Sequence, residues 1–479
     1  MADLAHARAL LETHYGYPDF RPGQREVVAS ILDGRDTLAI LPTGGGKSVC
    51  FQVPALVLGG LTIVVSPLIS LMADQVGACV RRGIAAAALT SATPSDERRR
   101  IAEALRTRTL RLLYLSPERL GATASELASL GGRPSLLAVD EAHCISEWGP
   151  DFRPAFRRLG EARRQLGSPP CLALTGSATP AVRQDIIGVL GLGRASGAGA
   201  AVHVRSFDRA NLRFRVTHVR SEAERLERLV ALLRTHPPLA IVYAATRNSV
   251  EALVRSLRFA GFATLPYHAR LDGPLRADVL DRFTRERVDV VVATCAFGMG
   301  IDAPRVRLVV HWTVPPTPEA YYQEAGRAGR DGNPAACVLL YRRGDAVMHR
   351  RMLDVTLPPR HLLERMWRDD AVAARQPVEV RASADRLAAE LTRRDGSVDW
   401  RPFHHRRETI LARIRTMERF ATRWGCRRRT LLASFGEDAP TCSGCDWCDR
   451  AARWRRLRPS LSRLLPKGRP ASDPEPTSR

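Results

Sequence analysis

Lysine is nearly absent from this 479-residue chain. Only Lys47 and Lys467 stand among 73 basic residues; the rest are arginine. Acidic residues are scarce too, 50 against 73, leaving a net charge of +23 (73 minus 50). No apolar run reaches the ~20 residues of a membrane-spanning helix. Met1-Ala-Asp-Leu-Ala-His6 lacks the basic and apolar regions of a signal peptide. These absences set the expectation of a soluble cytoplasmic protein with no membrane partner. Of ten cysteines, six (50, 79, 144, 171, 295 and 337) are scattered, mostly in apolar context. They read as buried free thiols. The arginine excess points to a polyanionic partner, nucleic acid ahead of membrane, although a GC-rich genome also enriches Arg and Ala.

A chain that writes almost every positive charge as Arg has kept Lys47 in Leu41-Pro-Thr-Gly-Gly-Gly-Lys-Ser48. Phosphate-binding loops need a slim, flexible ammonium. Their glycines, here Gly44, Gly45 and Gly46 after Thr43, let backbone N–H groups close around phosphates. Lys47 reaches the β/γ-phosphates, and the Ser48 hydroxyl takes Mg²⁺. The preceding apolar residues read as a buried strand, and the following ones can open a helix. Leu41 stands where the strict pattern has its first glycine, so a Gly-rich turn with a chance lysine is the alternative.

Length suggests about three domains. Short apolar runs recur between helical stretches at 38–41, 61–65, 112–115, 136–139 and 171–174. The rhythm restarts after Ser206, at 240–243, 288–292, 308–311 and 337–341. Strands alternating with helices predict α/β architecture, with two parallel-sheet lobes at 1–207 and 208–345. Ligands on such sheets bind beyond the carboxyl ends of strands. From 346 the strand rhythm stops. Ile410, Ile414, Met417, Ala421 and Trp424 are spaced for one face of a long helix running into Cys426. Residues 455–479 read as a disordered basic tail.

Leu136-Leu-Ala-Val-Asp-Glu-Ala-His143 puts two carboxylates at the end of a buried strand. Asp140 can hold Mg²⁺, and Glu141 can orient and deprotonate an attacking water. Near the other end, Cys426, Cys442, Cys445 and Cys448 give C-x₁₅-C-x₂-C-x₂-C. Four thiolates suit a closed, structural zinc site, with Asp446 and Asp449 as bystanders.

Together these motifs resemble the RecQ family of DNA helicases in helicase superfamily 2, over roughly residues 11–345 and 406–449. The resemblance implies two RecA-like lobes followed by a mainly helical zinc-binding module. Gly16-Tyr-Pro-Asp-Phe-Arg-Pro-Gly-Gln24 resembles the family's adenine-reading segment. By that match Tyr17 stacks on adenine, Gln24 bonds its edge and Arg21 assists. Lys47, Ser48, Asp140, Glu141 and His143 fit its nucleotide motifs. Thr175-Gly-Ser-Ala-Thr179 resembles the segment that couples hydrolysis to lobe motion, although the family often has a shorter form. Ala142-His-Cys-Ile-Ser-Glu-Trp-Gly-Pro-Asp-Phe-Arg-Pro154 resembles the family's aromatic-rich loop. It makes Trp148, Phe152 and Arg153 the DNA-sensing residues, with stacking that is indifferent to sequence. Packing between the lobes is the alternative for the two aromatics. Ala293-Thr-Cys-Ala-Phe-Gly-Met-Gly-Ile-Asp302 resembles the segment linking DNA to ATP. Tyr321-Tyr-Gln-Glu-Ala-Gly-Arg-Ala-Gly-Arg-Asp-Gly332 resembles the arginine-finger motif. Arg327 and Arg330, three apart, are expected on one face of a helical turn, with Gln323 in the same network.

The resemblance thus implies an ATP- and Mg²⁺-dependent 3′→5′ DNA helicase with structural zinc. It acts on single-stranded and forked or branched duplex DNA in repair or recombination. An RNA helicase, and a DNA-annealing or remodelling ATPase with little strand separation, are the alternatives. The family commonly follows its zinc module (here 406–454) with a winged helix. The 31 residues after Cys448 (479 minus 448) are too few for one. The helical insertion at 346–405 is a candidate helix-turn-helix in its place, with a helix expected from near Ser383 to Gly396; a plain spacer is the alternative.

Overall fold

The computed structural model describes residues 2–42, 46–90, 93–131, 133–146, 154–194, 199–297, 303, 305–393, 395–439 and 441–457. The first lobe is a seven-stranded parallel sheet in the order β3-β4-β2-β5-β6-β1-β7. Its strands are β1 (Thr37–Ile40), β2 (Thr62–Val65), β3 (Ala86–Leu89), β4 (Leu112–Leu115), β5 (Leu136–Val139), β6 (Cys171–Thr175) and β7 (Ala201–Val204). Every residue of β1, β2, β4 and β5 is buried. Helices cover both faces, so these strands are apolar throughout rather than alternating. The order sets β5, β6 and β1 side by side, and the loops at their carboxyl ends share one rim.

The second lobe is a six-stranded parallel sheet in the order β10-β11-β9-β12-β13-β8. It comprises β8 (Leu212–Val219), β9 (Ala240–Tyr243), β10 (Thr264–Tyr267), β11 (Val290–Ala293), β12 (Leu308–His311) and β13 (Ala335–Arg342). The apolar runs in the sequence mark the inner strands. Four strands escaped that signal, each for a physical reason. β3 is Ala-Ala-Ala-Leu, which offers little strand propensity. β7 and β10 are short edge strands. β8 alternates Leu-Arg-Phe-Arg-Val because one face is buried and the other open.

Helices Ala346–Thr356, Arg360–Met366, Asp370–Ala374 and Val378–Leu391 pack around a separate core that includes Leu353, Leu363, Leu387, Leu391 and Phe403. Trp367 stacks on Trp400 with ring centroids 5.4 Å apart. The helix expected from Ser383 begins earlier, after Pro377, and stops at Leu391; Gly396 lies in a turn closed by a Thr392–Val398 bridge. The long helix runs Trp400–Thr422 and buries Phe403, Ile414, Met417, Phe420 and Ala421. Trp424 does not continue its face: the backbone turns extended at Arg423, leaving Trp424 83% exposed. The segment carrying the last four cysteines then joins the edge of the second sheet. Cys445 pairs with Phe214 as a parallel bridge, Val216 N donates to Asp446 at 3.4 Å, and Arg213 meets Asp449 at 3.0 Å. The scattered cysteines are buried as expected except Cys295, which is exposed in the loop after β11.

Candidate functional site

The first rim begins where β1 ends. Lys47 and Ser48 lead into helix Val49–Leu58, with Ser48 at its N-cap position and its hydroxyl not spent on capping. A helix N-terminus presents free N–H groups and a positive dipole end to an anion. Gly46 holds φ +66, and a Cβ there would fall 2.6 Å from Gln24 Nε2. That contact is a bond in the native chain: Gln24 Nε2 donates to Gly46 O at 3.0 Å. Gln24 Oε1 accepts from Arg21 N at 2.9 Å, and Arg21 Cζ lies 6.0 Å from the Tyr17 ring centroid. Tyr17 is 46% exposed. Tyr17, Arg21, Gln24 and Gly46 are thereby brought together; Thr43, Gly44 and Gly45 lie outside the described residues.

Two strands away, β5 delivers Asp140 and Glu141. Burial first, then the Glu141 charge, push the Asp140 carboxyl up to about 6. Burial also acts to raise Glu141. The Lys47 charge, the His143 bond and the Arg327 charge outweigh it and hold Glu141 at about 2. Glu141 takes a left-handed conformation (φ 48) that a non-glycine residue adopts rarely. The chain turns there into the 3₁₀ turn Ala142–Ile145 and sends His143 beneath β6. His143 Nδ1 lies 2.9 Å from Thr175 Oγ1 and 3.2 Å from Glu141 Oε2. Thr175 Oγ1 in turn donates to Ser177 O at 3.1 Å.

The second lobe faces this rim. Helix Pro318–Ala325 is capped by Thr317, which accepts from Ala320 N at 3.0 Å. Gln323 Nε2 donates across the cleft to Ser177 Oγ at 3.0 Å. Glu324 pairs with His311 of β12 at 2.9 Å. Arg327 and Arg330 lie past the helix end, on successive turns rather than the helical turn expected, because Gly329 enters the left-handed region (φ +55). Both still converge: their charges act on Tyr243 at the end of β9, and Arg327 also hydrogen-bonds it. Tyr243, His311 and Arg209 were not anticipated. Only the position of Tyr243 and His311 at strand carboxyl ends hinted at them.

At the third site, the sulfurs of Cys426, Cys442, Cys445 and Cys448 all lie within 4.8 Å of one another. With Zn–S near 2.3 Å, tetrahedral geometry asks for sulfurs roughly 3.8 Å apart. Cys445 and Cys426 are 4.0 Å apart, so the donor set fits. Arg429 N donates to Cys426 Sγ and Cys448 N to Cys445 Sγ, both at 3.4 Å. Burial raises the Cys445 thiol, but backbone N–H groups of Cys448 and Arg427 outweigh it and hold it below its usual value. Asp446 and Asp449 stand outside the set and tie the segment to its neighbours.

The DEAD/DEAH box helicase family matches residues 21–186, and the helicase conserved C-terminal domain matches 222–332. The RecQ zinc-binding family matches 390–449 and takes in all four cysteines. A probable ATP-dependent DNA helicase RecS of Bacillus subtilis is 41% identical over 344 residues, 71% of this chain and 68% of that protein. The chain belongs to the RecQ family. The ATP-dependent DNA helicase RecQ of Pasteurella multocida is 43% identical over 356 residues, 74% of this chain and 55% of that protein. The chain therefore spans about half the length of that RecQ relative. A crystal structure of the DUF1998 helicase MrfA bound to DNA and AMPPNP shares the fold, with TM-score 0.60 and 18% identity over 72% of this chain and 52% of that one. Among the described residues no helix is long and apolar enough to cross a membrane. Residues 147–153, which include the expected DNA-sensing Trp148, Phe152 and Arg153, lie outside the described residues, as does the tail beyond 457.

Proposed function

We propose that this chain is an ATP- and Mg²⁺-dependent DNA helicase that moves 3′→5′ on single-stranded DNA and parts duplexes in repair or recombination. The direction rests on the family resemblance alone. The observation that carries the reading is the shared cleft: lobe-one Lys47, Asp140 and Glu141 face lobe-two Arg327, with Gln323 bonded across to Ser177.

Magnesium, when bound, would neutralise phosphate charge. Ser48 and Asp140 are the residues to hold it. Lys47 grips the β/γ-phosphates, Tyr17, Arg21 and Gln24 read the adenine, and Gly44 to Gly46 with Thr43 close round the phosphates. Glu141, ionised at neutral pH, takes the proton of the attacking water. Arg327 and Arg330 meet the charge that develops on the transferring phosphoryl group, a contribution on the order of 10³–10⁵ in rate. His143, Thr175, Ser177 and Gln323 form a bonded path between the lobes, which suits coupling of hydrolysis to cleft motion. Trp148, Phe152 and Arg153 sense single-stranded DNA.

The working division is lobe one at 1–207, lobe two at 208–345, the insertion at 346–405, the zinc module at 406–454 and a basic tail at 455–479. In the insertion, the outer face of helix Val378–Leu391 exposes Glu379, Asp385, Arg386 and Glu390. That mixed charge favours a spacer over a duplex-binding helix-turn-helix. The deciding experiment is an unwinding panel of forks, tailed duplexes of both polarities and four-way junctions, with and without ATP. ATPase stimulation by DNA is compared with stimulation by RNA. ATP-dependent parting of 3′-tailed DNA is expected; stimulation by RNA alone, or annealing without unwinding, overturns the reading.

A further inference from the structure

Residues 205–211 carry the chain from β7 to β8 and so form the hinge between lobes. Such a crossing needs freedom only if nothing grips it. Here it is gripped from two sides. From the zinc module, Arg428, 1% exposed, bonds Asp208, the carbonyl of Leu212 and, at 2.9 Å, that of Arg209. Glu437 of the same module accepts from Ser206 Oγ and from Phe207 N at 2.6 Å. Phe435 stacks on Phe207, ring centroids 4.5 Å apart and planes at 15°.

From the other side the crossing reaches into the turns that carry the two arginines. The Arg209 guanidinium donates to the carbonyls of Gly326 at 3.4 Å, Ala328 at 3.2 Å and Gly329 at 2.7 Å. Asn211 Nδ2 donates to Gly329 O and Asn333 O, each at 2.8 Å. The fit leaves no room for a side chain at Gly329: a Cβ would lie 2.5 Å from Asn211 Nδ2 and 2.6 Å from Asn333 O. Tyr322 adds a bond from its hydroxyl to Phe207 O at 2.9 Å. Backbone bonds shape this turn (Gly326 N to Tyr322 O at 2.8 Å, Ala328 N to Ala325 O at 3.1 Å, Gly329 N to Val306 O at 2.9 Å), and three of its carbonyls converge on the one guanidinium, which ties it to the crossing. Arg327 and Arg330 project from that turn. A planar guanidinium spreads its donors over a rigid fork, whereas the three donors of a lysine ammonium all sit on one atom and do not reproduce that spread.

We propose that Arg209 is a positioning residue for ATP hydrolysis. It sets the 326–329 turn and thereby the aim of Arg327 and Arg330, while Arg428 and Glu437 fix the Arg209 backbone from the zinc module. Hinge, arginine turn and zinc module then form one bonded unit, which lobe one meets through Arg183 at the Phe435 carbonyl (3.0 Å) and over the Phe207 ring. The inference rests on the assignment of Arg327 and Arg330 as the arginines that face the nucleotide.

The test uses the full chain and five variants: Arg209→Ala, Arg209→Lys, Arg327→Ala, Arg330→Ala and the Arg209→Ala/Arg330→Ala double. Turnover with single-stranded DNA is measured beside affinity for ADP and for ADP with aluminium fluoride. Misplacing a catalytic group costs on the order of 10²-fold, so Arg209→Ala is expected to lose about 10–100-fold in kcat. ATP KM is expected to stay within about twofold, as for an interaction made only in the transition state. The advantage of the aluminium fluoride complex over ADP alone falls by the same factor, which loss of general stability would not produce. In the double variant the Arg209 change adds less than about threefold, because both act through one element. Where Arg209→Ala melts early, Arg209→Lys decides, with melting unchanged and kcat reduced. Normal kcat in both Arg209 variants while Arg330→Ala is inactive overturns the positioning role alone, and so do fully additive losses. Normal turnover in both Arg330→Ala and Arg327→Ala overturns the parent assignment, and this inference with it.

Discussion

In the first lobe, the carboxyl ends of β1, β5 and β6 bring one ammonium, two carboxylates, an imidazole and the hydroxyls of Ser48, Thr175 and Ser177 to a single rim. In the second, the ends of β9 and β12 bring a tyrosine and a His311–Glu324 pair, with two arginines on the turns beyond. Both lobes are parallel sheets sandwiched by helices, so the fold does not account for the difference; the loops do. In the proposed function, lobe one holds the nucleotide and a cation, and lobe two answers the charge that builds up during transfer. The Gln323–Ser177 bond is a feature that neither lobe has alone, whereas Lys47 and His143 of lobe one do most to lower Glu141, and the Arg327 charge of lobe two adds to them.

The comparison is broken most severely by emptying either side. Lys47→Ala, Glu141→Gln and Arg330→Ala are each expected to cut DNA-stimulated ATPase by on the order of 10³-fold. Glu141→Gln should still bind ATP, since Asp140 and Lys47 remain. Retained turnover in Arg330→Ala leaves Arg327 as the essential arginine.

Next in size is the zinc module, which braces lobe two and has no counterpart in lobe one. Metal analysis is expected to find one zinc per chain. Serine at Cys426, Cys442, Cys445 or Cys448 is expected to give less soluble protein that melts earlier, because metal binding at such sites is folding energy, roughly 10–16 kcal/mol in small zinc peptides. A metal-free preparation of full stability rules out the structural role.

A smaller effect separates the lobes by pH. Asp140 stands at about 6 in the metal-free chain, raised by burial and by Glu141. Below that pH its proton must leave before a cation enters. Apparent Mg²⁺ affinity in nucleotide binding is therefore expected to hold steady above about pH 7 and to fall up to about tenfold per pH unit below about pH 6. Asp140→Asn should flatten the profile, whereas Arg330→Ala should leave its shape intact. A flat wild-type profile contradicts the Asp140 assignment.

The smallest change cuts the tie itself. Gln323→Ala removes one neutral hydrogen bond, typically worth about 1 kcal/mol, so about a fivefold loss in DNA-stimulated turnover is expected with little change in melting. No loss in rate indicates that the Ser177 contact is incidental to coupling.

The sequence alone determined the α/β class, the division into two sheets and the residues of the phosphate loop, the carboxylate pair and the four-cysteine set. Each is a local signal: apolar runs mark buried strands, and fixed spacings mark groups that must act together. Spacing misled where a break in local geometry intervened. Arg327 and Arg330 read as one helical face, but Gly329 bends the chain into turns; Trp424 read as core, but the helix ends at Thr422. β8 went unread because its alternation belongs to an edge whose cover, the zinc module, lies more than two hundred residues away in sequence (445 minus 214). Only the tertiary structure decided which distant groups meet: Gln323 with Ser177, Arg327 with Glu141 and Tyr243, Arg428 with Arg209, and Arg209 with the 326–329 turn. Those pairings depend on how two sheets and a module pack. Packing is a property of whole surfaces, and no run of neighbouring residues encodes it.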